Sequence, residues 1–160
     1  MTPVAPIVES NICNFYNNRG HLLKNSWRLF IFISVLLTGG CGSGDDLRIA
    51  REGAAHVHAQ MDNEQFADIY SQADDAFRAA TKQQDFLDFI SAVHRKLGKV
   101  QNASPGGYFV NFSTSGTQVR LNYRTKFEQG DAQEEFIWKI KGKQAALVGY
   151  HINSNALVIK

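Results

Sequence analysis

Two pairs of polar side chains have types and spacings that could support metal or acid–base chemistry. His56 and His58 are two residues apart, so on a helix they point about 200° apart and cannot bind the same ion, whereas on a strand they share a face. His94 follows Asp88 by six residues, and an acid–base pair between them needs a loop that brings them within hydrogen-bond reach. We predict no catalytic residue and no metal site, and we keep an enzyme with an Asp or His acid–base group as an alternative.

Composition and motifs exclude several functional classes. The chain has 160 residues, of which 44% are hydrophobic and 20% are charged, and its net charge is +2. These values are typical of one globular domain and give no reason to expect a nucleic-acid partner. The sequence contains no nucleophile elbow, no His-Glu-x-x-His helix and no P-loop, and we predict no cofactor.

Groups that could bind a ligand are more evident than groups that could catalyse a reaction. Four aromatic side chains with polar tips are candidates for lining an apolar pocket for a small ligand: Trp138, Tyr150, Tyr123 and Tyr70. Five cations are candidates for a basic contact face: Arg120, Arg124, Lys126, Lys139 and Lys141. The alternative interpretations are a packed aromatic core and a solvated surface. As a contact face, the cations would suit an acidic partner or anionic lipid headgroups.

Hydrophobic periodicity predicts helices in the first half of the domain. Apolar residues recur at intervals of three and four over residues 46–60, 63–80 and 83–97, which indicates three amphipathic helices. Asp62 and Gln65 have the spacing of a capping box at the start of the second helix. We expect Gly98 to end the third helix, after a last turn that contains basic side chains.

After Pro105-Gly106-Gly107 the hydrophobic period changes to two. A first strand is predicted at residues 108–113, and the next strand alternates apolar with polar side chains over residues 119–128. A third strand contains Phe136, Trp138 and Ile140 on its inward side. Gly142-Lys143 is typical of a two-residue hairpin loop. The last strand has this predicted inward set: Ala146, Val148, Tyr150 and Ile152.

Helices followed by strands that pair in sequence order predict an α+β domain. We expect the N-terminal helices to pack on one face of a four-stranded antiparallel β-meander. By analogy with nuclear-transport-factor-like and cystatin-like folds, the sheet would be curved and cone-like. Such a cone would provide the apolar pocket.

The domain resembles a family of small exported bacterial domains of unknown function over residues 62–153. The likeness rests on a helix that closes on Leu97-Gly98 and on a C-terminal strand that contains Gly149-Tyr150. Two segments between them add to it, residues 123–127 and Glu134-Glu135. The sequence differs at Leu147, where a Trp is expected. The resemblance implies no catalytic residues.

The N-terminal segment has the layout of an export signal. Lys24 and Arg28 precede an apolar run at residues 29–37, and small residues follow it. The run is too short to cross a bilayer, which takes about 20 apolar residues. Residues 1–40 contain three basic side chains and one acidic one, which account for the whole net charge of +2.

The end of this segment, Leu37-Thr38-Gly39-Gly40-Cys41, resembles the lipobox of bacterial lipoproteins, with Thr38 where Leu is usual. The resemblance implies cleavage before Cys41, acylation of Cys41 and anchoring in the membrane. Gly42 rather than Asp at the next position implies the outer membrane, with the domain facing the periplasm. The predicted division is a signal peptide at 1–40, a lipidated Cys and tether at 41–45, and the domain at 46–160. A plain cleaved signal and an uncleaved anchor are the alternatives.

The stretch before the apolar run is longer than a bacterial basic region usually is. Residues 1–18 contain one charge, Glu9. We hypothesise that the start codon is misassigned and that translation begins at a non-standard codon, for example at Leu22 or Leu23.

These features predict a lipid-anchored envelope protein with a non-enzymatic binding domain. Its expected partners are the membrane, through acylated Cys41, and either a small apolar ligand or another envelope protein. The remaining alternatives are the enzyme described above and an assembly lipoprotein that contacts an envelope partner through its basic face.

Overall fold

The computed structural model describes residues 43–158, in which helices come first and a sheet follows. The predicted α+β class, with N-terminal helices and a four-stranded antiparallel meander, is confirmed. The likeness to cone-like folds stays a prediction. The elements in chain order are α1 Ser43–Asp62, α2 Phe66–Gln72, α3 Asp75–Ala80, α4 Gln83–Leu97, β1 Val100–Ser113, β2 Gly116–Phe127, β3 Gly130–Lys141, β4 Gln144–Asn153 and α5 Asn155–Val158.

The predicted signal peptide, together with Cys41 and Gly42, lies outside the described residues. Within residues 43–158, no helix combines the length and the apolar composition that a membrane span requires. The predicted tether at 41–45 is wrong at its end, because residues 43–45 form the start of α1. Asp45 and Asp46 occupy the first turn, where carboxylates offset the positive end of the helix dipole and extend the helix beyond its apolar stripe.

The four strands pair in sequence order, β1-β2-β3-β4, and one face of the sheet carries the core. β2 confirms the predicted alternation, since its inward side chains are buried and its outward ones are mostly exposed. The buried set is Val119, Leu121, Tyr123, Thr125 and Phe127. We call this side of the sheet the inner face, and the opposite, solvated side the outer face.

α1 crosses the inner face diagonally. Gly53 packs against the ring of Trp138 on β3, and both border a small cavity with Leu147 of β4. At the end of the helix, the Asp62 carboxylate accepts a 2.9 Å hydrogen bond from the Val100 N–H at the start of β1. Because α1 meets β1 at Val100 and lies near β4 at Gly53, it leaves the later part of β1 uncovered.

The predicted helix at 63–80 is wrong as a single element, because it divides into α2 and α3 at Ala73–Asp74. Both residues have extended backbone angles. The Asp74 N–H donates to the Leu147 carbonyl at 2.9 Å, and its carboxylate caps α3 by accepting from the Ala76 N–H at 3.0 Å. The hydrogen bond to the strand and the new cap together compensate for the interrupted helix.

The predicted capping box at Asp62 and Gln65 is also wrong. Asp62 ends α1 and uses its carboxylate on Val100, and Gln65 precedes α2 without a side-chain capping bond. The third predicted helix is confirmed as α4, with the predicted bounds. Gly98 ends it at a φ of 74°, a conformation that glycine adopts without strain.

β1 begins at Val100 rather than at the predicted Tyr108. The strand continues through Pro105-Gly106-Gly107, with a shift in its register against β2 between Pro105 and Gly107. Proline followed by two glycines predicts a break, but β1 is an edge strand, where a missing N–H and a local irregularity are tolerated.

The predicted inward set of β4 is wrong in its first half. The register against β3 shifts between Ile137 and Trp138, which pair with Gly149 and Leu147. The shift places Leu147 in the core instead of Ala146 and Val148, while Tyr150 remains buried as predicted. A register shift of this kind exchanges the inward and outward side chains of the strand on one side of the shift.

Replacing Gly53 by Leu is expected to lower the free energy of unfolding by about 2–3 kcal/mol. A Cβ at this position would lie 3.1 Å from the Trp138 ring, and that ring is buried and cannot move aside. Urea denaturation measures the change. Ala55→Leu, at an exposed site of the same helix, is the matched control and should be nearly neutral. An equal loss in both variants would contradict the close approach as the cause.

Candidate functional site

A carboxylate lies in the core of the domain. Glu134 on β3 is 2% exposed. Its Oε2 lies 2.9 Å from His58 Nε2 and accepts a hydrogen bond from the Thr125 hydroxyl, while its Oε1 accepts one of 2.6 Å from the Tyr150 hydroxyl. An ionised carboxylate only accepts, so His58 Nε2 carries the proton in this contact. We call these four residues the Glu134 cluster.

The Glu134 cluster joins four elements of the fold. His58 comes from α1, Thr125 from β2, Glu134 from β3 and Tyr150 from β4. Sequence reasoning missed Glu134 as an inward residue, although its position has the same parity as Phe136. The available signal was strand alternation, because a residue two positions from the buried Phe136 points to the same face of the sheet. A carboxylate there requires donors from the neighbouring elements.

The electrostatics of the cluster favour an ionised Glu134. Burial by itself raises the pKa of this carboxyl group, but the hydrogen bond and charge of His58, together with the Thr125 and Tyr150 hydroxyls, bring the pKa below its ordinary value. The pKa of Tyr150 is well above its ordinary value because burial and the neighbouring Glu134 charge both disfavour the phenolate. Tyr150 is therefore a stable donor to the carboxylate.

The cluster is enclosed by aromatic rings. The His58 ring makes edge contacts with Phe136 and Tyr123 at centroid distances of 5.3 and 6.2 Å. The Glu134 side chain has no exposed surface, and both of its oxygens accept hydrogen bonds. The hydrogen bonds to these oxygens connect α1 with the sheet.

The four aromatic pocket candidates lie in different environments. Tyr150 belongs to the Glu134 cluster, and Tyr123 packs beside it. Trp138 is 3% exposed and stacks on Phe136 with ring centroids 6.1 Å apart. The small cavity that it borders holds about 50 Å³, room for about one or two water molecules. The Tyr70 hydroxyl donates to the Thr81 carbonyl, where α3 ends.

The polar pairs considered from sequence do not form shared sites. His56 is exposed while His58 is buried, as the helical spacing predicts. Asp88 is exposed and accepts a hydrogen bond from Gln84, whereas His94 packs against the ring of Phe66. Within residues 43–158, no group of three His, Cys, Asp or Glu side chains is arranged to hold a metal ion.

The predicted basic face lies on the outer face of the sheet, and its cations have different surroundings. Arg120 lies 3.7 Å from the Glu135 carboxylate, and Lys139 lies 3.7 Å from Asp74. Lys141 is exposed near the end of β3. Part of the basic charge predicted for this face is therefore balanced by neighbouring carboxylates.

Arg124 lies where two grooves of the outer face meet. One groove, of about 450 Å³, contains Arg124 together with Glu135 and His151. The other, of about 510 Å³, contains Arg124 together with Lys126 and Asp131. Amide side chains complete their polar walls: Asn102, Asn122, Gln133 and Asn153. Among the described residues, no carboxylate forms an ion pair with Arg124, so its guanidinium is available to a ligand.

The model of one protein family, described as a protein of unknown function (DUF4019), matches residues 53–150. This range covers more than half of the chain and runs from the middle of α1 to Tyr150 of the Glu134 cluster. Among curated proteins, no sequence matches this chain.

Replacing Glu134 by Gln is expected to lower the free energy of unfolding at neutral pH by about 2–4 kcal/mol, since it removes the charge to which three donors are directed. The pKa of Glu134 in the folded chain lies below its ordinary value of 4.5. The stability that this charge contributes is therefore present above pH 4.5 and is lost as the pH falls through the folded pKa.

Urea denaturation at a series of pH values tests this expectation, and the difference between wild type and Glu134→Gln should narrow in acid. Glu135→Gln is the matched control, because Glu135 lies on the outer face beside Arg120. It should change the free energy of unfolding by less than about 0.5 kcal/mol. A pH-independent loss in Glu134→Gln would contradict the role of the charge.

Proposed function

This chain belongs to the DUF4019 family of proteins of unknown function, and we propose that it is a lipid-anchored protein of the bacterial envelope. In this proposal, acylated Cys41 holds the domain on the outer membrane facing the periplasm. The domain binds an acidic segment of another envelope protein on its outer sheet face and catalyses no reaction.

The support for the anchor lies in the sequence that precedes α1. A basic flank, the apolar run at 29–37 and small residues ending in Cys41 have the layout of a lipoprotein signal. Several acyl chains bind a membrane far more firmly than one chain does. Gly42 alone separates Cys41 from the helix that starts at Ser43, so an acylated Cys41 would hold the domain against the membrane surface.

The observation that supports the binding face is the position of Arg124. Its exposed side chain borders both grooves of the outer face, and an arginine fork binds a carboxylate with two parallel hydrogen bonds. Lys126 lies in one of the grooves directly opposite Asp131 on β3, so its charge is partly offset there and Arg124 is the main cation. Arg124 fits one acidic side chain of an extended segment.

The amide side chains around Arg124 define the rest of the partner. Asn122, Gln133 and Asn153 each offer a donor and an acceptor, which match the alternating N–H and C=O groups of a peptide backbone. Of the described residues that line the grooves, few are apolar, and the aromatic one among them, Tyr123, is buried. This lining suits a polar, extended protein segment better than a small apolar ligand.

The alternatives have less support. The aromatic candidates for an apolar pocket are buried or partly buried among core residues, and the cavity beside Trp138 has room for water only. An acid–base mechanism needs a group that a substrate can reach. The strongest candidate for such a group, Glu134, has a fully enclosed side chain.

Replacing Cys41 by Ser is expected to move the protein from the membrane fraction to the soluble fraction and to abolish incorporation of labelled fatty acid, because the serine hydroxyl cannot replace the acylated thiol. Cell fractionation and metabolic labelling measure both effects. Cys13→Ser, which removes the other cysteine of the chain, is the matched control and should remain acylated. A Cys41→Ser variant that stays in the membrane like wild type would contradict the lipid anchor.

Replacing Arg124 by Gln is expected to weaken the binding of an acidic probe peptide of alternating Glu and Ser by about tenfold, because it removes a charge-assisted bidentate contact. NMR titration of the protein measures the affinity and identifies the residues that respond, which should include Gln133 and Asn153. Arg120→Gln is the control, since Arg120 lies beside Glu135 and borders neither groove. Equal weakening by both substitutions, or shifts confined to another surface, would contradict the proposal.

A further inference from the structure

The later part of β1 carries three large aromatic side chains in contact with solvent. Tyr108 is 59% exposed, Phe109 65% and Phe112 63%. Tyr108 and Phe112 are exposed on the inner face because α1 contacts β1 at Val100 and lies beside β3 and β4 at Gly53. Phe109 pairs with Arg120 and points to the solvated outer face. Exposed apolar groups concentrated in one short segment are uncommon on monomeric proteins and mark interaction surfaces.

The same segment is an unprotected sheet edge. The strand order leaves one side of β1 without a partner strand among the described residues. Natural edge strands carry charged side chains that discourage further pairing, but no charged residue occurs from Val100 to Val119. The irregularity at Pro105–Gly107 interrupts only the first half of the strand. Residues 107–113 therefore form a regular strand whose free edge can pair with a further strand.

These seven residues are centred on Val110 and are self-complementary about it. In the β1–β2 register Tyr108 pairs with Leu121 and Val110 with Val119, so Tyr108, Val110 and Phe112 share the inner face. In an antiparallel pair with a second copy, centred on Val110, Tyr108 would lie opposite Phe112 of the partner subunit. Cross-strand aromatic pairs of this kind stabilise a sheet.

We propose that two copies of this chain pair through the 107–113 segment of β1, antiparallel and about a two-fold axis at Val110, to form one continuous eight-stranded sheet. A two-fold interface places the same patch on both sides, and a patch without charge meets no repulsion from its copy. An anionic membrane or an acidic peptide would find no basic side chain in this segment. The proposal is independent of the anchor and of the outer grooves.

The area of the exposed patch determines how tightly the two copies should bind. The exposed parts of the three rings amount to roughly 300–400 Å² per copy, which with the strand backbone corresponds to an interface in the small, transient class. The dimer should therefore dissociate at protein concentrations that sedimentation experiments can reach, rather than being permanent.

Cysteine cross-linking tests the register directly. In a full chain whose native Cys13 and Cys41 are both replaced by Ser, the substitution Val110→Cys should give disulfide-linked dimers under mild oxidation, because directly opposed residues of antiparallel strands lie within disulfide range. Phe109→Cys and Asn111→Cys should each give little dimer alone and should cross-link when mixed. Arg124→Cys, exposed on the outer face away from the edge, is the control for random collision.

Val110 is partly buried, so the mixed Phe109→Cys and Asn111→Cys experiment keeps the test valid if Val110→Cys fails to fold. Efficient cross-linking at the predicted positions alone supports the proposal. Cross-linking of Arg124→Cys to the same extent, or of none of the variants, would overturn it.

A charge placed on the edge provides the second test. Asn111→Lys should raise the dissociation constant of the dimer, measured by sedimentation of the same cysteine-free chain, by about tenfold or more. Gln118→Lys is the matched control, since Gln118 is the exposed neighbour of Asn111 on the paired strand β2, and it should leave the dimer intact. A wild-type chain that stays monomeric at every concentration, or equal weakening by both lysines, would overturn the proposal.

Discussion

The buried Glu134 carboxylate sets the constraint on which the rest of the domain depends. A charge inside a hydrophobic core is costly unless several donors meet it, and here α1, β2 and β4 each supply one. To bring His58 to this point, α1 must lie close on the sheet. Gly53 permits that approach because a side chain there would enter the space of the Trp138 ring. Glu134 and Gly53 thus both hold the helix on the sheet, the first through a polar contact and the second through a close apolar contact.

The path of α1 then decides which surfaces stay open. The helix crosses from β4 towards the start of β1. The core therefore covers β2, β3 and β4 and leaves the later part of β1 exposed. The outer face is open for a different reason: the helices of the domain pack on the inner side, and the outward positions of β2 and β3 carry mostly polar residues. The domain therefore has two open surfaces, the polar outer face around Arg124 and the uncharged edge at 107–113.

Periodicity was sufficient to predict α4 and β2, because each has a single apolar stripe and clear end signals. It failed where tertiary contacts override the local pattern. The stripe over 63–80 continues unbroken in sequence, but Asp74 leaves the helix to bond with Leu147. In β4 the register against β3 shifts between Ile137 and Trp138, and this shift changes which β4 side chains point inward. Strand alternation from Phe136 was a signal that could have placed Glu134 on the inner face, but its partners could not be predicted, since His58 is 76 residues away along the chain.

The sequence by itself determined the α+β class and the inward side chains of most strands, since these depend on local periodicity. Only the tertiary structure decided which of the polar residues act together. It placed the aromatic candidates in or against the core and balanced Arg120 and Lys139 with carboxylates, while no carboxylate within residues 43–158 pairs with Arg124. The physical reason is that burial and charge pairing depend on contacts between elements distant in sequence. The spacing of residues within a helix or within a strand does not determine the angle at which the helix crosses the sheet.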